Sequence, residues 1–436
     1  MSITFSNRSV TSLADGVASM VSCALAGCGK AGRLRQAKSK AFRHNRPLVS
    51  HRRIAIVTFD SQGKFGQIMP DEEQDGKYGA MTHKSLVTGG CGFMGRHLVE
   101  ILRARGDAVR VLDLRQWPGD RDATGDVEVI NGSITDPQIV KRAMDGVDRV
   151  FHLAANPNLW APDPAQFHEV NYLGTCRMLE EAGRWPLQRF VYTSTESILK
   201  SARASRSSGR ALIDETVRLQ IEDMPGPCCR SKFRAEEAAH EAAAGGMPLV
   251  IVNPTMPLGP GDLLLTPPTK MLLGFVNGTT PAYLDCDFNL VDARDAAMGH
   301  LLAAERGRIG ERYILGGDNL GLSDLLREVS RLTGLKMPTW KVPYGIAYLS
   351  ALVSESIANI TKKPPVAPLT GVRLARTSMA FDCSKAHREL AWGTRSLAQT
   401  LTDTLAWLRQ AGLLTRDVGS LLIADELGDR IRSDSR

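Results

Sequence analysis

No two of the chain's eight cysteines stand at Cys-x-x-Cys spacing and no histidine ladder flanks them, which argues against a zinc site and a disulfide framework and suits a reducing cytoplasm. No uninterrupted apolar run is long enough for a spanning helix. Net charge is missing from most of the chain too. Residues 1–80 hold 12 Lys and Arg against 6 Asp and Glu, which leaves 42 against 41 for residues 81–436. The body also lacks a basic patch interleaved with aromatics, so the reading names no nucleic-acid partner. What is there, 436 residues with 43% hydrophobic and 23% charged, suffices for two domains or one large α/β unit.

Acid is nearly absent from residues 1–53, which carry ten Lys and Arg and only Asp15. A transit-like presequence fits that bias, and Leu25-Ala26-Gly27-Cys28 after a short apolar stretch resembles a lipoprotein-type export signal. The favoured expectation is an unstructured extension over residues 1–80, with the biological start at Met81, four residues before the first strand. At the other end, residues 416–436 read as a polar tail.

The informative segment is Thr88-Gly89-Gly90-Cys91-Gly92-Phe93-Met94-Gly95, between the apolar run Ser85-Leu86-Val87 and the helix-patterned run Arg96 to Leu102. A strand, a glycine turn and a helix in this order make a phosphate grip. Gly89 and Gly92 permit the tight turn and close approach of backbone to a pyrophosphate. Gly95 lets the helix pack on its strand, and the first helical N–H groups, from Phe93 and Met94 onward, face the anion. Eighteen residues after Gly95 the strand Ala108–Leu112 ends at Asp113, whose carboxylate suits the adenosine ribose hydroxyls. That acid favours NAD over NADP, because it would repel a 2′-phosphate, although Arg96 and Arg115 soften the choice.

Strands at Val127–Ile130, Arg149–Leu153 and Gln188–Thr193 alternate with helices at Asp136–Met144 and Phe167–Ala182. The fold class expected is therefore α/β, a doubly wound parallel sheet over residues 81–262 with a smaller C-terminal lobe over 263–415, some of whose segments return to the core. Ala154 and Ala155, small residues at the end of the fourth strand, let a cofactor lie against it. His152, within an apolar strand, reads as a hydrogen-bonded core residue rather than a base.

The fifth strand ends in Thr193-Ser194-Thr195, and some thirty residues later Cys228 and Lys232 share one face of a helix. With Thr-Gly-x-x-Gly-x-x-Gly, Asp113, His152-Leu153-Ala154-Ala155, Ser231-Lys232, Asn253-Pro254 and Gly259-Pro260-Gly261-Asp262, these residues resemble an extended short-chain dehydrogenase/reductase, the NAD-dependent epimerase/dehydratase group. The resemblance covers about residues 81–415. Met224–Pro227, Arg230–Phe233, Val252–Thr255 and Gly310–Gly317 make the chain most similar to hopanoid-associated sugar epimerases and dihydroflavonol-reductase-like proteins.

The resemblance implies NAD(P)-linked redox chemistry on a sugar or ketone, within reach of hopanoid lipid synthesis. It places Thr195 at the substrate-orienting hydroxyl, Ser194 beside it, Lys232 at the nicotinamide ribose, and Asn253 and Pro254 in the cofactor site. The family's proton-exchanging tyrosine falls at Cys228. Altered catalysis through water, Cys228 as thiol or thiolate, or a substrate group, a strongly weakened enzyme, and a cofactor-binding protein without turnover are the three readings of that change. Tyr172 and Tyr192 are the nearest tyrosines, placed for packing or nucleotide contact. Ser133, where the family often has an acid, is a second departure.

In the C-terminal lobe Asp292 and Asp295 read as helix caps, Ser323 as the cap of the helix 324–332, and Leu397, Leu401, Leu405 and Leu408 as a core stripe. The apolar helix 346–360, followed by Lys362-Lys363, reads as packing over the substrate cleft, with membrane-surface contact as the alternative. Expected partners are a small-molecule or lipid-linked substrate, a membrane surface touched peripherally, and a second copy in a homodimer; no metal is expected.

Overall fold

The computed structural model describes residues 83–117, 127–201, 212–377 and 380–418, and the backbone of Val57–Phe59 and Phe65–Gln67. Those two short strands pair antiparallel within one body, Cys28–Thr82. The extension expected over residues 1–80 otherwise lies outside the described residues.

In the other body, strands are numbered from Lys84: β1 (Lys84–Thr88), β2 (Ala108–Asp113), β3 (Val127–Asn131), β4 (Arg149–His152), β5 (Arg189–Thr193), β6 (Leu249–Pro254), β7 (Met256–Leu258), β8 (Ala282–Leu284), β9 (Asp287–Asp292), β10 (Arg312–Leu315), β11 (Asp318–Gly321) and β12 (Trp340–Val342). The helices are α1 (Phe93–Ala104), α2 (Pro137–Met144), α3 (Gly174–Ala182), α4 (Pro227–Ala244), α5 (Pro267–Val276), α6 (Ala293–Arg306), α7 (Leu322–Thr333), α8 (Tyr344–Thr361), α9 (Leu369–Ala375), α10 (Ser384–Leu390) and α11 (Leu397–Gln410). Seven strands form one parallel sheet in the order β10-β6-β5-β4-β1-β2-β3. The order reverses between β1 and β4, and at such a switch point the carboxyl ends of the strands diverge to leave a ligand crevice.

Both sheet faces are covered, which is why the strands read as short continuous apolar runs. Val87, Val191, Val250 and Val252 point to the face packed by α1 and α6, whereas their neighbours Leu86, Phe190, Tyr192, Leu249 and Ile251 point to the face packed by α2, α3 and α4. This period of two fixes register, since a slip of one residue would exchange the two cores.

The smaller lobe is built on β7, β9 and β11, with α5, α7 and α11 around them, and on the parallel pair β8 and β12. Leu401, Leu405 and Leu408 are fully buried, as the leucine spacing predicts. Asp292 caps α6, accepting from Arg294 N at 2.8 Å. The cap expected at Ser323 is corrected: α7 starts at Leu322 from Gly321, whose N–H donates to the Asp324 carboxylate at 3.4 Å. Val418 is buried in the lobe's core while Arg416 and Asp417 before it are exposed, and residues 419–436 lie outside the described residues.

Candidate functional site

The glycine turn has the shape that the sequence predicts, for steric reasons. Gly89 has φ +72°, and a Cβ there would lie 2.8 Å from the Ala154 backbone nitrogen. Its own N–H donates to Leu112 O at 2.8 Å, which ties the turn to β2. A Cβ on Gly92 or Gly95 would approach Gly89 O to 2.9 and 2.2 Å. Gly92 is the N-cap of α1 and no side chain caps that end, leaving the first-turn N–H groups and the dipole's positive pole open to an anion. Asp113 sits beside them, buried at the end of β2, with its oxygens accepting from Cys91 N at 3.0 Å and Arg115 N at 2.9 Å. A carboxylate has about four lone-pair positions, so it retains acceptor capacity for a diol. The cradle fits a dinucleotide.

His152 is a core residue, as the apolar strand pattern indicates. Its ring bridges Thr88 Oγ1 at 2.7 Å and Thr175 Oγ1 at 3.0 Å, and burial first, then the Lys232 charge, takes its pKa down to about 3. Thr88 Oγ1 also accepts from Ala154 N at 3.2 Å, so the same hydroxyl orders the turn and the strand end where Ala154 and Ala155 lie. Ser133 completes a local turn with Thr135 instead of presenting an acid.

Lys232 and Thr195 come together at the end of β5. Lys232 Nζ donates to Thr193 O at 2.6 Å and stands 4.7 Å from the centre of the Tyr192 ring. Burial lowers its pKa to about 8, against the opposing pull of Cys228 and Glu236. Tyr192 is wholly buried, a packing residue. Thr195 caps a short 3₁₀ turn, Glu196–Ile198, and its Oγ1 donates to Glu196 Oε2 at 2.8 Å. The other oxygen of Glu196 stands 3.8 Å from Nζ of buried Lys200, whose pKa burial lowers and Glu196 pulls back up.

Two of the candidate site residues sit deep in the fold. Cys228 packs with Ala161 and Phe167, and burial pushes its thiol up to about 11 even though Lys232 pulls the other way. Near neutral pH it is a thiol, the uncharged one of the two forms considered for proton exchange. Asn253 is buried, and its amide donates to Thr195 O at 3.2 Å and Glu236 Oε2 at 2.8 Å. It braces the site from beneath, and Pro254 continues the same buried strand.

Sequence reasoning missed three polar groups. Glu196 is an acid directly after the hydroxyl cluster, and Lys200 lies four residues on, a spacing that signals an ion pair. Asn171 sits in a π-helical turn, His168–Leu173, that precedes α3 and marks a local insertion. Its side chain accepts from Asn156 N at 2.7 Å and donates to Ser231 Oγ at 3.2 Å, joining the loop after β4 to α4. Among the described residues no cluster of His, Cys, Asp and Glu could hold a metal, and Cys91, Cys176, Cys228, Cys229, Cys286 and Cys383 form no disulfide.

Residues 85–316 match the family model described as NAD dependent epimerase/dehydratase family. The chain is 35% identical over 337 residues to a protein of Synechocystis sp. provisionally named dihydroflavonol 4-reductase, covering 76% of this chain and 96% of that one. It is 28% identical over 333 residues to sterol demethylase protein B of Methylococcus capsulatus, covering 76% and 99%. Among solved structures, gox2253 is similar at 35% identity and a TM-score of 0.66, over 77% of this chain and 100% of that one.

Proposed function

The chain belongs to the NAD-dependent epimerase/dehydratase family and takes NAD as its cofactor, and from that premise we propose that it acts on the carbinol or carbonyl carbon of a sugar or ketone carried on an apolar, lipid-linked body. Bound NAD supplies a hydride acceptor and donor. The first-turn N–H groups of α1 and Asp113 would hold its diphosphate and adenosine ribose, and Lys232 the nicotinamide ribose.

The observation that carries the proton chemistry is the 2.8 Å hydrogen bond from Thr195 Oγ1 to Glu196 Oε2. A substrate hydroxyl donating to Thr195 can lose its proton through that hydroxyl to Glu196 while its carbon gives up hydride, so the C–H and O–H bonds break as C=O forms. The reverse order reduces a ketone. Lys200 holds Glu196 in place, and Cys228, a neutral thiol, supplies shape beside Phe167 and Ala161 instead of a proton. An apolar substrate body is supported by the apolar packing around Cys228 and by the likeness to a sterol demethylase protein. The hopanoid link rests on the motif resemblance, and the absence of a disulfide among the described cysteines suits a cytoplasmic setting.

A ketone reductase is the second reading, favoured by the relative named dihydroflavonol 4-reductase. Incubating the full chain with NADH or NADPH and a sterol ketone, or with NAD and a UDP-sugar, separates the two. Stoichiometric cofactor oxidation identifies a reductase, and an isomerised sugar without net cofactor change an epimerase. Tight NAD binding with neither outcome would overturn both. Glu196→Gln should lower kcat by about 10²-fold with NAD affinity unchanged, and an unchanged kcat would remove Glu196 from the reaction.

A further inference from the structure

Helix α8 is built inside out. Its small residues Ala347, Ala351 and Ala358 are buried, the first two packed with Leu369 and Val372 of α9. Its large ones face outward: Ile346, Leu349, Val353, Ile357 and Ile360 are 49, 57, 53, 55 and 83% exposed. At 3.6 residues per turn these five share an arc of about 80°. Leu352 flanks the stripe, and Trp340, 71% exposed, precedes the helix. A soluble helix ordinarily turns its large apolar side chains to the core, so a stripe reversed in this way marks a surface with a partner.

We propose that this face of α8 docks on an anionic phospholipid bilayer. The helix carries one charged residue, Glu355, which is turned inward to accept Leu369 N at 2.7 Å, so no carboxylate of α8 lies on the exposed arc. Exposed Lys362 and Lys363 follow its last turn. An apolar stripe, a tryptophan and terminal lysines complement an interface that is apolar within and anionic at its surface. A second copy suits the stripe less, because an isologous α8 would offer those lysines no carboxylate.

The helix also adjoins the candidate site. Asn359 Oδ1 accepts from Trp160 Nε1 at 3.2 Å, and Lys362 Nζ donates to Pro162 O at 3.1 Å. Between them in sequence, Ala161 packs on Cys228. Docking would therefore set the loop over the site against the lipid surface. Docking itself does not rest on the redox reading; its use in delivering a lipid-linked substrate does.

Sedimentation of the full chain with phosphatidylcholine vesicles, with and without phosphatidylglycerol, tests it. The chain should sediment with the anionic vesicles, and the triple variant Leu349→Glu, Val353→Glu, Ile357→Glu should weaken binding at least tenfold. Lys362→Glu with Lys363→Glu should lose most of the preference for phosphatidylglycerol. The three positions of the triple variant are exposed and only they are changed in it, so its NAD affinity and thermal unfolding should stay as in the wild type. Absence of vesicle binding would overturn the proposal. So would binding that survives the triple variant, which would assign it to the basic residues 1–53, or self-association that the triple variant abolishes without any vesicle binding. Vesicle binding by a chain without turnover would sink the redox reading alone.

Discussion

The carbonyl oxygen of Gly89 faces the α-carbon of Gly95 so closely that a Cβ on Gly95 would stand 2.2 Å from it. Both atoms belong to backbone, so no side-chain rotation relieves the contact. Gly95→Ala must push α1 off the glycine turn, at a cost of about 1–3 kcal/mol in stability. Because the first-turn N–H groups move with the helix, NAD affinity should fall by about tenfold or more. Calorimetric titration with NAD alongside urea unfolding checks both, and wild-type affinity in Gly95→Ala would refute the phosphate grip.

Cys228→Tyr restores the family's phenol in front of Lys232. If Glu196 already handles the proton, the phenol adds a second route and kcat should change by less than about tenfold, with NAD affinity unchanged. A rise of several orders of magnitude would instead identify the cysteine form as a disabled enzyme. Cys228→Ala is the companion variant: a neutral, buried thiol predicts little loss of turnover, whereas a large loss would make the thiol a participant.

Acid should destabilise the protein through its buried histidines. Burial lowers the pKa of His152 to about 3 and that of His300 to about 4, so neither accepts a proton in the fold near neutrality. The unfolded chain protonates both below about 6.5. Stability is therefore complete above that pH and is lost as pH falls toward 4, at a cost of a few kcal/mol for the pair. His300, held between Thr193 Oγ1 at 2.9 Å and Ala296 O at 2.7 Å, contributes alongside His152. Urea unfolding of wild type and His152→Gln at pH 7 and pH 5 should show a smaller pH loss in the variant, even if its stability at pH 7 is lower.

The parts of the molecule legible in the sequence are those decided by local sterics. Gly89 and Gly95 have to be glycine because backbone meets backbone, and Asp113 ends a strand of fixed length, so spacing alone placed them. His152 was readable from its apolar neighbours. Cys228 was not, because the burial that raises its pKa comes from Phe167 and Ala161, some sixty residues away in sequence and brought close only by the fold. Glu196 is not legible, because its bond to Thr195 Oγ1 depends on the 3₁₀ turn that follows the strand. The apolarity of α8 was evident, but which side faces out depends on α9 accepting the alanine side.

Arg312 and Glu236 make the most exacting test of the packing under the site. Their side chains are 11% and 5% exposed and 2.8 Å apart, and Asn253 donates to the same carboxylate's other oxygen. Burial raises the pKa of Glu236, but bonds from His240, Arg312 and Asn253 outweigh it and hold the group below the ordinary glutamate range. Arg312→Met strands that charge and should cost about 3–5 kcal/mol. Arg312→Met with Glu236→Gln removes charge and partner together and should recover at least part of the loss. Because Asn253 reaches both Glu236 and Thr195 O, the single variant should also disturb Thr195 and lower kcat more than it weakens NAD binding. Unfolding free energies for the two variants, read with kcat and NAD affinity, decide it: no recovery in the double variant would mean that Arg312 acts through its bonds to Glu215 O and Val217 O and not through the ion pair.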